Sequence, residues 1–359
     1  MELEMHPGLP DIEALRTKLL SWYRANARQL PWRKDRDPYH VWVSEIMLQQ
    51  TRVEAVMGYY ARFLAALPNL QALAAVDDET LLKLWEGLGY YSRARNLKKA
   101  AGEIMTRHGG VFPQTQKALL ALSGIGAYTA GAIASICFDQ PTPAVDGNVL
   151  RVFARLTEME APIDRDATKK AVTAALLPLY APGDCGTLTQ ALMELGACVC
   201  TPNGTPKCDA CPLRDLCRAA QNNSWKRFPV RGEKKARRQQ KKQLLLLQCG
   251  ERFALEKRGD KGLLAGLWQF PNADTDNTDP QAALDAAAAR GAAPIALQAQ
   301  TSYVHVFTHI EWHITAFWIL CRNEAPGLTW VTAEQLETQY ALPSAFKPAW
   351  DIRTAFSEG

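Results

Sequence analysis

Part-way along this 359-residue chain the hydrophobic residues change their period, and the change falls at a strongly basic stretch. Before Lys226 the apolar positions recur at helical spacing between short turns; after Lys242 they form short runs that read as strands. One layer cannot satisfy both periods, so an all-helical part followed by an α+β part is expected. In the first, His40 to Tyr60 (HVWVSEIMLQQTRVEAVMGYY) carries Trp42, Ile46, Val53, Met57 and Tyr60 as an apolar stripe. In the second, QLLLLQC and RFALEK flank a turn at Gly250, while SYVHVF and WHITAFWIL flank a loop at His309. With 47% hydrophobic residues the chain is long enough for two or three packed domains.

The dividing stretch, Lys226 to Lys242, holds nine basic residues against Glu233 alone, a local +8 within a total of +4. It reads as a basic linker, a solvated spacer that also offers counter-charge to a polyanion. The uncharged segment Ala118 to Phe138 is long enough to span a bilayer, but Gly124 and Gly126 break it, small residues dominate it, and no aromatic and basic belt flanks it. A buried helix, turn and helix is the better reading. The N-terminus MELEMHPGLP has no basic region followed by an apolar run, so no secretory signal is readable and a cytoplasmic setting with reduced thiols is expected.

Nine cysteines then need a reading. Cys137, Cys185, Cys198, Cys249 and Cys321 are scattered in apolar surroundings and read as small buried hydrophobes. Cys200, Cys208, Cys211 and Cys217 crowd into CTPNGTPKCDACPLRDLC. Zinc sites usually pair two C-x-x-C knuckles across a longer spacer, whereas this compact spacing better suits a cubane iron–sulfur cluster, zinc standing as the alternative.

Upstream, LSGIG sets Gly124 and Gly126 between two helices, where a tight turn exposes amide N–H groups to phosphate; an ordinary interhelix turn has the same pattern. Further on, in PAVDGNVLRVFARL, Asp146 precedes a helical stretch and reads as its N-cap, which does not exclude catalysis.

LPWR at 30–33, VWVSEIMLQQT at 41–51, WEGLGYYSRARNL at 85–97, LSGIGAYTAGA, VDGNV and the cysteine loop occur in this order. Together they resemble the adenine-specific mismatch DNA glycosylase (MutY) family, of the endonuclease III, helix-hairpin-helix superfamily. The resemblance covers nearly the whole chain, because GLLAGLWQFP and HVFTHIEW resemble that family's Nudix-like domain. It implies a multidomain protein: an all-α helix-hairpin-helix glycosylase region over 1–225, the linker over 226–242 and a Nudix-like domain over 243–359. Within the first, a six-helix barrel spans about 30–140, and the N-terminal helix with about 141–225 forms the module of a [4Fe-4S] cluster held by the cysteine quartet. The implied activity is hydrolysis of the N-glycosidic bond of adenine mispaired with 8-oxoguanine or guanine in double-stranded DNA, by a monomer.

Residue roles follow from the same resemblance. Glu45 shares a helix edge with Leu48, Gln49 and Arg52 beside the apolar stripe, where partial desolvation keeps it protonated as the general acid for an adenine ring nitrogen. Asp146 matches the carboxylate that stabilises the oxocarbenium-like sugar; at about 4 Å and an effective dielectric near 20 such a pair is worth roughly 4 kcal/mol, about a thousandfold in rate. Asn148 matches a residue that orients water or DNA. Tyr128 stands where a bifunctional sister branch carries a Schiff-base lysine, and no lysine occurs between Lys117 and Lys169, so a monofunctional enzyme is expected. Gln49 and Tyr90 match wedge residues that hold the duplex open. Trp32, Arg33 and Gln190 match pocket positions.

The Nudix-like domain lacks a REUxEE string after GLWQFP, so metal-dependent nucleotide hydrolysis is not expected of it. Its loop Phe307, Thr308 and His309 matches the recogniser of 8-oxoguanine, with Thr308 in place of the usual serine. One further departure is a spacing of seven residues between Cys200 and Cys208 where the family usually has six, which Gly204 can absorb in a wider turn. Lys207 and Arg214 of this loop are candidates for phosphate contacts. Two other functions fit parts of the pattern: a bifunctional endonuclease III-like glycosylase and lyase, and a non-catalytic iron–sulfur DNA-binding protein.

Overall fold

A computed structural model describes residues 8–233 and 236–355; Lys234 and Lys235 of the basic stretch, with both extreme termini, lie outside the described residues. The chain forms two compact units. One comprises the described residues up to Ala75 with Asn96–Glu233, the other Val76–Arg95 with the described residues after Glu233.

The first unit is helical. Helix α1 (Ile12–Asn26) starts at Asp11, whose carboxylate accepts from Ala14 N at 3.0 Å, and buries Leu15, Leu19, Leu20 and Tyr23 along one face. Helix α2 (Pro38–Leu48) follows a short 3-10 turn at Pro31–Arg33 and begins with Pro38 behind an Asp37 cap. Its Tyr39 and every residue from Val41 to Met47 are buried. The stripe expected to run from Trp42 to Tyr60 is therefore divided: α2 stops at Leu48, Gln50 adopts φ +61°, and α3 (Val53–Ala66) starts after Arg52. A helix buried on all sides cannot carry QQTR onward without burying polar groups, and Met57, 40% exposed, lies off the buried face. Helix α4 (Leu70–Ala75) closes this segment.

In the second unit, helix α5 (Asp78–Leu84) and the turn after it join the C-terminal part, although the sequence places them inside the helical region. Lys83 Nζ donates to the carbonyls of Leu336 and Tyr340, and Glu86 accepts from Leu342 N at 2.8 Å. Helix α6 (Ser92–Arg107) returns the chain to the first unit, followed by α7 (Gln116–Leu120) and α8 (Ala127–Phe138), the helix, turn and helix read from the uncharged segment. Among the described residues no helix is long and apolar enough to cross a membrane. Helices α9 (Gly147–Thr157), α10 (Asp166–Leu176) and α11 (Cys185–Cys198) build one core with α1, and α12 (Arg218–Gln221) follows the cysteine loop.

Strand β1 (Arg238–Cys249) already begins inside the stretch read as linker, and its Lys242 is 7% exposed, paired with Asp274 and over the Trp312 ring at 4.6 Å. The remaining elements are β2 (Arg252–Lys257), β3 (Trp268–Gln269), β4 (Asn272–Asp274), α13 (Pro280–Ala289), β5 (Pro294–Val306), β6 (Ile310–Cys321), β7 (Thr329–Thr332), α14 (Ala333–Gln339) and α15 (Lys347–Ala355). The sheet order is β3-β2-β1-β6-β5, with β4 on β1 and β7 on β2; β1 and β6 run parallel and the other pairs antiparallel. Because strand side chains alternate, Leu244 and Leu246 bury with α14 and α15 while Leu245 and Leu247 bury with α13. That two-sided burial explains the unbroken LLLL run.

Candidate active site

A cleft of about 530 Å³ in the helical unit gathers residues that are far apart in sequence. Trp32, Arg33, Glu45, Asp146, Asn148 and Gln190 all line it. Glu45 is contributed by α2 and is 6% exposed, so its desolvation is nearly complete and not the partial kind expected at a helix edge. Gln49 caps α2 and Arg52 lies beyond it, leaving no shared helical edge for them. Tyr128, in the first turn of α8, donates its hydroxyl to Glu45 Oε2. Burial pushes the Glu45 carboxyl up to about 7, Asp146 adds to the rise, and the Tyr128 hydrogen bond and Arg33 oppose it.

Asp146 caps α9. Its Oδ1 accepts from Val149 N at 2.8 Å and its Oδ2 from Asn148 Nδ2 at 2.7 Å, so both oxygens are fixed and the carboxylate faces the positive end of the helix. Burial raises its pKa above the usual aspartate range, and these donors oppose the rise without cancelling it. Asn148 is held in turn by Arg151 Nη2 at 2.8 Å, and Arg151 also donates to the carbonyls of Gly196 at 2.8 Å and Cys200 at 2.7 Å. A Cβ on Gly196 would lie 2.5 Å from Asn148 Cβ, so α9 and α11 approach this closely only with glycine there.

A second network, not anticipated from the sequence, supports the cleft wall. Glu194, buried on α11, accepts from Arg28 N and Nε at 3.1 and 2.7 Å, from Arg28 Nη2 at 2.9 Å and from Arg33 Nη2 at 2.8 Å. Burial alone would raise its carboxyl, but the Arg28 and Arg33 donors overcome that and hold it at about 2. Tyr23 meets the same wall by donating to Gln190 Oε1 at 3.0 Å. The available signal was a lone carboxylate inside ALMELGA, since a buried charge demands a partner. Arg151 was equally findable, three residues after Asn148 on the same helix face.

The other candidates lie outside this cleft. Gly124 adopts φ +73° in the α7–α8 turn and packs against Asn96, while Gly126 caps α8 without a side-chain bond, leaving its first amides to other acceptors. Gln49 is half-buried just beyond Leu48 of the cleft lining. In the second unit, Tyr90 is 48% exposed at φ +46° and its hydroxyl bonds Thr308 Oγ1 at 2.7 Å. Phe307 is wedged between His305 and Trp312, and Thr308 and His309 project from the β5–β6 turn.

Cys200, Cys208, Cys211 and Cys217 line one small cavity of about 30 Å³, with Arg155 Nη1 donating to Cys200 Sγ at 3.3 Å; Cys198 lies instead beside Glu194 and Arg28. Gly204 turns the longer first loop at φ +71°, and Lys207 N closes it onto Val199 O at 3.0 Å. Among the described residues no three metal-ligating side chains converge closely enough to hold a single metal ion. Burial, with the neighbouring thiols adding, pushes Cys211 up to about 12.

Comparison with known proteins matches residues 43–178 to the HhH-GPD superfamily base excision DNA repair protein and residues 243–351 to the NUDIX domain. The adenine DNA glycosylase of Rattus norvegicus is 35% identical over 411 residues, covering 96% of this chain and 78% of the relative. That of Homo sapiens is 34% identical, covering 95% and 74%. The chain belongs to the adenine DNA glycosylase family. Among solved structures, a thermostable thymine-DNA glycosylase shares 27% identity at a TM-score of 0.54, covering 59% of this family member and 97% of that protein. A non-covalent endonuclease III–DNA complex, 23% identical at a TM-score of 0.51 over 60% of this chain and 99% of its own, shares the fold. The adenine DNA glycosylase family, helical domain and NUDIX domain are thus those the ordered motifs imply.

Proposed function

We propose that this base-excision-repair glycosylase hydrolyses the N-glycosidic bond of adenine paired with 8-oxoguanine or guanine in duplex DNA. The observation that carries the reading is the buried Glu45, its carboxyl pushed up to about 7 by burial, lining the same cleft as the doubly held Asp146. The Glu45 proton passes to a ring nitrogen of the extruded adenine, N7 in this reading, so that the base leaves neutral. The Tyr128 hydroxyl then bonds the Glu45 carboxylate that remains. Asp146 faces the positive charge developing at C1′, and water completes the hydrolysis. The resident of the lysine position is Tyr128, which forms no Schiff base, so a monofunctional enzyme follows.

The thiol quartet suits a four-iron cluster: the donors are all sulfur, they surround a cavity instead of meeting at a point, and desolvated thiols ionise where a cation compensates them. When bound, the cluster supplies that positive charge and cross-links the loop; the bond-breaking groups stand elsewhere. The exposed turn Phe307–His309 supports recognition of the base opposite adenine, through the Thr308 hydroxyl and with Phe307 locked from behind.

Single-turnover excision from duplexes carrying adenine opposite 8-oxoguanine, opposite guanine and opposite thymine tests the reading. Release of adenine from the first two, lost in Glu45→Gln, is expected. Equal release from all three duplexes removes the mispair, and full activity in Glu45→Gln removes the acid.

A further inference from the structure

A second cavity of the helical unit, of about 500 Å³, opens between loop residues 202–205 and the start of the basic stretch and shares only Pro202 with the lining of the cleft. Arg151, Arg155, Lys226 and Arg231 line it, and no carboxylate does. The first two are each 5% exposed and are aimed by backbone carbonyls: Arg155 donates to Phe228 O and Thr201 O, both at 3.0 Å, and Arg151 to the carbonyls of Gly196 and Cys200. Trp225 forms a wall, with Arg155 5.8 Å and Lys226 5.5 Å from its ring centre.

These cations repel one another. Of the acids near these cations along the chain, Glu158 accepts from Asn222 Nδ2 at 2.9 Å and from Ser224 Oγ, Asp164 accepts from the amide of Gly232 at 2.9 Å, and Glu160 pairs with Arg227 at 3.4 Å. Arg155 also donates to Cys200 Sγ, so part of its charge is directed at the thiol loop. Arg151, whose nitrogens are committed to Asn148 and to carbonyls, supplies fixed positive charge; with Arg155, two more cations at the mouth and no acid in the wall, that field matches a multiply charged oxyanion.

We propose that this cavity is a phosphate-binding site, additional to the catalytic cleft, that takes the oxyanions of a phosphate chain. Two sources carry that chemistry, a segment of DNA backbone and a free polyphosphate, and they separate experimentally. The variant is Lys226→Ala with Arg231→Ala, which leaves the Asp146–Asn148–Arg151 chain untouched. Calorimetric titration of inorganic tripolyphosphate into the full chain at low salt reads the free ligand. The slope of log affinity against log salt for an adenine:guanine duplex reads backbone contacts.

Tripolyphosphate binding that weakens at least about tenfold in the variant, with an unchanged DNA slope, assigns the site to a free polyphosphate. A DNA slope that becomes shallower by about 2 in the variant, with tripolyphosphate displacing the duplex from the wild type, assigns it to backbone phosphates. If the variant keeps the wild-type melting temperature and glycosylase rate while neither measurement moves, the proposal is overturned.

Discussion

Replacing Glu45 by glutamine should slow base excision by about a hundredfold or more and stabilise the protein in alkali, and the second effect can be worked from the buried site. Glutamine keeps the shape and an acceptor for the Tyr128 hydroxyl but never ionises. The Glu45 carboxyl rises from 4.5 to about 7 on folding, so the fold favours its neutral form. The contribution of that preference is complete below pH 4.5 and is lost as pH rises through 7. At 1.36 kcal/mol per pH unit, wild type is then penalised by about 3 kcal/mol relative to a permanently neutral side chain. Urea unfolding of the two proteins should therefore coincide near pH 4.5, diverge through neutrality and differ by about 3 kcal/mol at pH 9, with glutamine the more stable. In parallel, the wild-type single-turnover rate should fall about tenfold per pH unit above 7, while the variant loses roughly a hundredfold to ten-thousandfold below that pH. A stability difference that does not vary with pH, or a wild-type rate flat to pH 9, would refute both the buried proton and its use.

Three further outcomes follow from the same contacts. Tyr128→Phe removes the hydrogen bond that lowers the Glu45 pKa, so the alkaline limb of the pH–rate profile should move to higher pH; a limb that stays or moves to lower pH contradicts the pairing. Gly196→Ala forces a methyl group against Asn148 and should cut excision by tenfold or more, at a stability cost of about 1–3 kcal/mol, which thermal melts and single-turnover kinetics separate. Cys200→Ala should lower iron content and the visible absorption of the purified protein while Cys198→Ala leaves both intact; the reverse pattern exchanges the two thiols.

Much of the molecule is legible in the chain because it depends on local chemistry. The two hydrophobic periods separate a helical region from a sheet, and the Asp146 cap is readable from the residues that follow it. The hairpin around Gly124 and the crowding of four thiols are equally local. What escaped reading depends on distant partners. The salt-bridged wall joins Arg28 to a glutamate 166 positions away, and the Tyr90–Thr308 bond spans 218 positions. The break after Leu48 was hidden because helical spacing continues across it, and only the enclosure of α2 shows why the polar QQTR must leave the helix. Likewise Lys242 reads as one more linker cation until Asp274 and Trp312 enclose it.

The order of motifs and the residue types within them determine the family and nominate Glu45, Asp146 and the cysteine quartet, because cap, turn and period signals act over a few neighbouring residues. The protonation state of Glu45 is another matter. It depends on how much water three helices exclude and on a tyrosine 83 positions away, and neither propensity nor spacing encodes those through-space terms. The chain alone specifies a carboxyl group at position 45; packing, by burying it, pushes that carboxyl up to about 7.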